Sequence, residues 1–217
     1  MPAVFEDPST AVARVRDGDT IMSGGFGLAG IPVRLIDALL SSGRRDLTVI
    51  SNNVGEPGKG MGMLLREGRL SRVVGSYFTP NPDVALAKRE GWLEVDLLPQ
   101  GTMSEAIRAG GAGIPAFYTP TAAGTLLAEG KETRVFDDGR EYVLERALRA
   151  DVALVHARCA DRLGNLVYRG TSRNFNAMMA TAANLVIAEV EEVVEVGDLA
   201  PDHVVTPHVY VDVVVAP

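Results

Sequence analysis

The chain has 217 residues, 47% of them hydrophobic and 23 of them glycine, and 21 basic against 28 acidic side chains give a net charge of −7. That is enough for one large α/β domain, or a domain with a small lobe, folding as a soluble globule. The acidic balance argues against a nucleic-acid partner, whose affinity comes from neutralising backbone phosphates.

The N-terminus, Met1 to Asp7, carries acids where a signal peptide needs a basic flank. No window of about 18 uninterrupted apolar residues appears, so no membrane span is expected. Thr20-Ile21-Met22-Ser23 reads as a buried strand closing on Gly24-Gly25. A helix follows, with Pro32 fitting its first position, an apolar stripe of Val33, Leu35, Ile36, Leu39 and Leu40, and Gly43 as its stop. Leu47 to Ser51 is the next strand, ending in the polar bend Asn52-Asn53-Val54-Gly55. Further strands are predicted at 72–76 and 93–97, with helices at 82–90 and 102–109. Such repeated crossovers imply an open, mostly parallel sheet with helices on its faces.

The second half is richer in strands. Asp138-Gly139 lies between Arg134-Val135-Phe136 and Tyr142-Val143-Leu144, which signals a hairpin. Strands are predicted at 151–156, 165–169, 185–190 and 209–215, and a helix at 176–183. Ala29-Gly30-Ile31-Pro32 recurs as Ala112-Gly113-Ile114-Pro115, which suggests two glycine-rich bends at strand ends. No linker divides the chain, so residues 1–217 are expected to form a single domain.

In open parallel sheets the ligand crevice lies beyond the carboxyl ends of the strands, so loops 23–31, 51–57 and 98–113 should converge. Gly25-Phe26-Gly27-Leu28-Ala29-Gly30 has the G-x-G-x-x-G spacing of a dinucleotide loop. That chemistry also wants an acid about 20 positions onward for the ribose hydroxyls, and Asn52 and Asn53 stand there instead. An NAD(P)-dependent oxidoreductase with a degenerate loop is therefore the remoter reading. Asn52 and Gln100 are neutral amides beside strand ends, suited to stabilising an oxygen that turns negative during acyl chemistry; on pattern alone the commoner task of such amides, binding loop backbone, is the favoured reading. His156, His203 and His208 are too dispersed for a ligand cluster, and the single cysteine, Cys159, reads as a small buried hydrophobe. No disulfide, cysteine cluster or metal is expected, in keeping with a reducing cytoplasm.

The stretch Asp17 to Pro32 (DGDTIMSGGFGLAGIP) resembles the signature of the A subunits of the family I coenzyme A transferases, the 3-oxoacid type. The resemblance resumes at Leu47 to Asn53, at Leu98-Pro99-Gln100-Gly101-Thr102, at Arg108 to Pro120, at Gly124 to Glu132 and at Arg173-Asn174-Phe175-Asn176. It thus extends from about residue 10 to the C-terminus. Ser23 stands where the family usually has an aliphatic residue. The resemblance implies transfer of coenzyme A from succinyl-CoA or acetyl-CoA to a 3-oxoacid such as acetoacetate, with 3-oxoadipate or acetate and butyrate as alternative substrates. It implies coenzyme A as substrate with no permanently bound cofactor, and a nucleophilic glutamate carried by a B subunit in an A2B2 assembly. Glu56, Glu105, Glu129 and Glu132 lie in or near the resembling blocks, outside the nucleophile's Glu-Asn-Gly context. By the same resemblance, Gln100 matches the oxyanion amide and Asn52 a neighbour in that pocket, while Gly24, Gly25, Phe26 and Gly27 shape the acyl site. Phe26 fits either the pocket or the core. Lys59 and Lys131 receive no role.

Overall fold

A computed structural model describes residues 2–217. The chain opens with β1 (Val4–Phe5) and α1 (Pro8–Val12). It then alternates through β2 (Thr20–Ser23), α2 (Val33–Ser41), β3 (Leu47–Ile50), α3 (Gly62–Arg66), β4 (Leu70–Gly75), α4 (Pro82–Glu90), β5 (Glu94–Leu97) and α5 (Gln100–Gly111). Three antiparallel strands follow, β6 (Ala116–Thr119), β7 (Thr133–Val135) and β8 (Glu141–Arg146), making a small separate sheet in the order β6-β8-β7. The expected hairpin around Asp138-Gly139 is the β7–β8 pair. The chain closes with β9 (Ala150–Asp161), β10 (Leu166–Val167), α6 (Asn176–Met179), β11 (Ala183–Val194) and β12 (Val213–Val215).

The main sheet runs β1-β12-β11-β9-β2-β3-β4-β5, with every neighbouring pair on that path parallel. Only β10 is antiparallel, lying against the far end of β9. The central strands are buried on both faces, and the pleat sorts their side chains with a period of two. Ile21, Val49, Leu154 and Ile187 join one core with Leu35, Ile36 and Leu39 of α2 and Leu64 of α3. Met22, Ile50, Val155 and Ala188 join the other, with Met103 and Ile107 of α5 and Met179 of α6. From β2 the chain steps through β3, β4 and β5 to one edge; from β9 it steps through β11 and β12 towards the other. The order therefore reverses between β2 and β9, and the crevice at that switch point is where ligands gather in open α/β sheets.

Several expectations need correction. Pro32 is the residue before α2 rather than its first helical residue. The second Ala-Gly-Ile-Pro does not mirror the first: Gly110 and Gly111 end α5, and a Cβ on either would collide with the Leu148 carbonyl or Thr181, so these glycines serve close helix packing. Accordingly 98–113 is mostly helix, with Gln100 as its first residue. The helix predicted at 176–183 ends at Met179, where Thr181 Oγ1 turns back to the Met178 carbonyl at 2.7 Å. Of the strand predicted at 209–215 only β12 forms; Val211, Val213 and Val214 are buried, while Val209 and Tyr210 lie outside on a short turn.

Candidate active site

Beyond β2 the backbone folds into a tight loop. Phe26 and Ala29 exchange backbone hydrogen bonds at 3.0 and 3.1 Å, closing a hairpin whose turn includes Gly27 at φ +62°. Gly25, at φ +125°, is left-handed and buried, and a Cβ there would strike Ile31. Gly24 needs no unusual φ; its missing Cβ makes room for the Asn176 side chain. Asn176 is fully buried, accepting from His156 N–H at 2.8 Å and donating to the Gly30 and Ser172 carbonyls at 2.9 Å each. Asn174 accepts from Gly25 N–H at 3.1 Å and donates to the Ala29 carbonyl at 3.1 Å. Two amides from the Arg173-Asn174-Phe175-Asn176 block thus fix the glycine loop in place.

This arrangement leaves no pyrophosphate site at the helix that follows the loop. The helix that follows the loop has its N-terminus already filled: the buried carboxylate of Glu189 accepts from Leu35 N–H at 3.1 Å and lies 3.5 Å from Arg34 Nε. An anion from β11 stands where the dinucleotide reading would put a pyrophosphate. The oxidoreductase reading is set aside on that ground.

Asn52 follows β3 and is 1% exposed. Its Nδ2 donates to Ser76 Oγ at 2.9 Å and to Gln100 Oε1 at 3.3 Å, and its backbone carbonyl accepts from Ser76 and Tyr77 N–H. Asn53 accepts from Gly55 N–H at 2.9 Å and so shapes the bend. Gln100 itself is exposed, and among the described residues its Nε2 has no hydrogen-bond partner. With the oxygen held and the nitrogen free, the amide presents an N–H donor at the crevice.

A cavity of about 370 Å³ is lined by Phe26, Gln100, Gly101, Ser104 and Met178, with Asn174 and Phe175 at its back. A second, of about 670 Å³, adjoins it at Phe26 and Asn174. The structure therefore brings together Phe26, Asn52 and Gln100. Phe26 is half exposed and lies outside both cores. Gly24, Gly25 and Gly27 support the loop from behind without lining either cavity.

None of the four glutamates in the resembling blocks lines the Gln100 cavity. Glu56 pairs with Lys59 at 3.2 Å, and Glu105 with Arg108 at 2.6 Å, a bond that holds the Glu105 carboxyl below the usual range. Glu132 accepts from the Tyr118 hydroxyl, and Glu129 borders a hollow beside β7 and β8. Lys131 is paired with Glu145 at 2.7 Å. Burial pushes the Cys159 thiol up. Among the described residues no group of three or more His, Cys, Asp or Glu side chains could hold a metal ion. No helix among them is long and apolar enough to cross a membrane.

Ser76, Asn174 and Asn176 carry this geometry, and sequence reasoning does not single them out as site residues. Ser76 has a usable signal, because it follows β4 as Asn52 follows β3.

The model of the coenzyme A transferase family matches residues 5–217. The chain belongs to the coenzyme A transferase family. It is 50% identical to the A subunit of a probable succinyl-CoA:3-ketoacid coenzyme A transferase of Bacillus subtilis, across 99% of this chain and 90% of that one. Identity to the A subunit of the 3-oxoadipate CoA-transferase of Pseudomonas putida is also 50%, across 98% and 92%. Among solved structures, an acyl-CoA transferase of Escherichia coli O157:H7 superposes with a TM-score of 0.90 over all of this chain and 47% of that chain; at 21% identity the likeness is one of fold. Both expectations, the transferase family and the parallel sheet, hold.

Proposed function

We propose that this chain is the A subunit of a transferase that moves coenzyme A from succinyl-CoA to a 3-oxoacid such as acetoacetate. The observation that carries the reading is the Gln100 amide, anchored through Oε1 by buried Asn52 with its Nε2 free at the switch-point crevice. The relatives are themselves named as A subunits, which supports a two-subunit enzyme, and we assign the nucleophilic glutamate to the B subunit of an A2B2 assembly.

In this reading the partner's glutamate attacks the thioester carbonyl, whose oxygen becomes negative as the new C–O bond forms. Gln100 Nε2–H donates to that oxygen. Collapse breaks the C–S bond, leaving an acyl-glutamyl anhydride and the coenzyme A thiolate. Thiolate attack on the glutamyl carbonyl releases the donor's acid and forms a glutamyl-CoA thioester; the acceptor carboxylate reverses both steps. Each intermediate keeps the thioester's free energy only while water is excluded. An uncharged donor suits this pocket, because it favours the transient oxyanion without leaving a permanent cation among the carboxylates. Coenzyme A is a substrate here; no resident cofactor or metal enters the scheme, and a cytoplasmic enzyme of one domain per A subunit fits it.

The test is co-expression with the adjacent-gene product and a panel of acyl-CoA donors and carboxylate acceptors. Exchange between succinyl-CoA and acetoacetate supports the reading; no exchange with any donor and acceptor leaves a binding or scaffolding role on the same fold. The equal identity of the Pseudomonas putida relative makes 3-oxoadipate the second acceptor to try.

A further inference from the structure

Two chambers meet at the Phe26 ring, and their linings differ in charge. Every side chain lining the Gln100 chamber is uncharged. The larger chamber, bordered by Phe26, Ala29, Gly170, Thr171 and Asn174, contains one ionised side chain, Arg173. Among the described residues Arg173 makes no ion pair and no side-chain hydrogen bond, as is also true of Arg16, Arg44, Arg89, Arg146 and Arg169, but of these only Arg173 lines either chamber. Its backbone is nonetheless fixed. It ends the short turn Gly170–Arg173, and the next residue, Asn174, is bonded to Gly25 and Ala29. In a chain of net charge −7, an exposed guanidinium that borders a cavity and is left without an anion has its donors available to a ligand.

We infer that Arg173 binds the free carboxylate of an acyl donor bearing two acid groups, with the thioester end at Gln100 and the distal carboxylate in the Arg173 chamber. The inference rests on the transferase reading and adds to it the residue that selects the acyl group. The guanidinium fork matches a carboxylate through two parallel N–H···O bonds. The rest of the chamber wall, Phe26, Ala29, Gly170, Thr171 and Asn174, is uncharged and offers no second cation. A coenzyme A phosphate could supply the same anionic chemistry, so the experiment separates the two sources.

The experiment compares wild-type, Arg173→Gln and Arg173→Lys in the co-purified two-subunit assembly. The readouts are kcat/KM for succinyl-CoA and for butyryl-CoA, which has the same carbon count without the carboxylate, and calorimetric binding of succinate, butyrate and desulfo-CoA. Arg173→Gln is expected to lower the succinyl-over-butyryl selectivity about 10- to 100-fold and to weaken succinate far more than desulfo-CoA, with Arg173→Lys recovering part of the selectivity. Equal losses for both acyl-CoAs together with weakened desulfo-CoA would assign Arg173 to a phosphate and overturn the inference, as would unchanged selectivity. If the wild-type assembly transfers no coenzyme A, the functional reading fails, while the succinate-against-butyrate binding difference still decides for or against Arg173.

Discussion

Asn52 holds Gln100 by one end: its buried Nδ2 donates to Gln100 Oε1 at 3.3 Å while also bonding Ser76 Oγ at 2.9 Å. The two amides therefore have different tasks, since Asn52 spends its N–H donors inside the protein and Gln100 keeps its own for the crevice. Gln100→Ala removes that donor from an exposed helix start, so the subunits should still assemble. Loss of one oxyanion donor is worth about 3 kcal/mol, or roughly a hundredfold in turnover. Steady-state kinetics on the assembled variant check this, and a turnover within threefold of wild type removes Gln100 from the mechanism.

Asn52→Ala leaves Gln100 in place and unties its oxygen, so its amide samples several orientations. Turnover should fall about tenfold with KM nearly unchanged, because the lost order acts on the oxyanion more than on the bound thioester. The truncation also removes the donor to Ser76 Oγ, which keeps only its bond to the Asn52 carbonyl at 3.4 Å, at about 1 kcal/mol of stability. A KM effect as large as the turnover effect would put Asn52 in substrate binding instead.

Gly24→Ala drives a methyl group into Asn176, which cannot yield freely because His156, Gly30 and Ser172 hold it. The variant should lose about 1–3 kcal/mol. For a chain of this length that is a fall in Tm of roughly 2–12 °C. Gly24→Ala with Asn176→Ala should cost less than the sum of the single changes, because the shorter side chain frees the space. Additive losses in a thermal-unfolding cycle would show that the two positions do not touch.

Glu189 joins three parts of the fold: it accepts from Leu35 N–H at the start of α2, it lies beside Arg34, and Arg34 in turn donates to the Val190 and Ala216 carbonyls at 3.0 and 2.8 Å. Glu189→Leu strands a buried N–H and an arginine. Because Arg34 is partly solvated, the expected loss is about 2 kcal/mol, below the cost of breaking a fully buried pair. Urea unfolding measures it, and the double variant with Arg34→Leu should recover part of the loss.

The parallel sheet was readable because strands buried on both faces are short apolar runs between turn residues, as in Thr20–Ser23 and Leu47–Ile50. Asn52 and Gln100 were legible as neutral amides near strand ends, a position that by itself fits loop-backbone binding; the oxyanion assignment comes from the resemblance, and the structure adds the 3.3 Å bond that joins the two side chains. Local pattern could not show that Gly110 and Gly111 pack a helix instead of making a turn, because the Leu148 and Thr181 atoms they meet lie far along the chain. Nor could it show Glu189 at the start of α2, a contact spanning 154 positions. Asn174 and Asn176 belong to one of the family-like motifs, yet their role depends on a glycine loop nearly 150 residues away.

Tyr168 gives the protein an alkaline limit. Its hydroxyl bonds Thr206 Oγ1 at 2.7 Å, and burial raises its pKa from 10.0 to about 12, against the opposing effect of that bond and of Arg173. The folded state therefore binds the phenolic proton more tightly than the unfolded chain does. Its contribution is fully present below pH 10 and is lost as pH rises through about 12. Tyr168→Phe should lower stability at pH 8 by about 1 kcal/mol through the missing hydrogen bond, while making the loss between pH 10 and 12 shallower. Urea midpoints measured across that range decide the matter: parallel curves for the two proteins would mean that another group sets the limit.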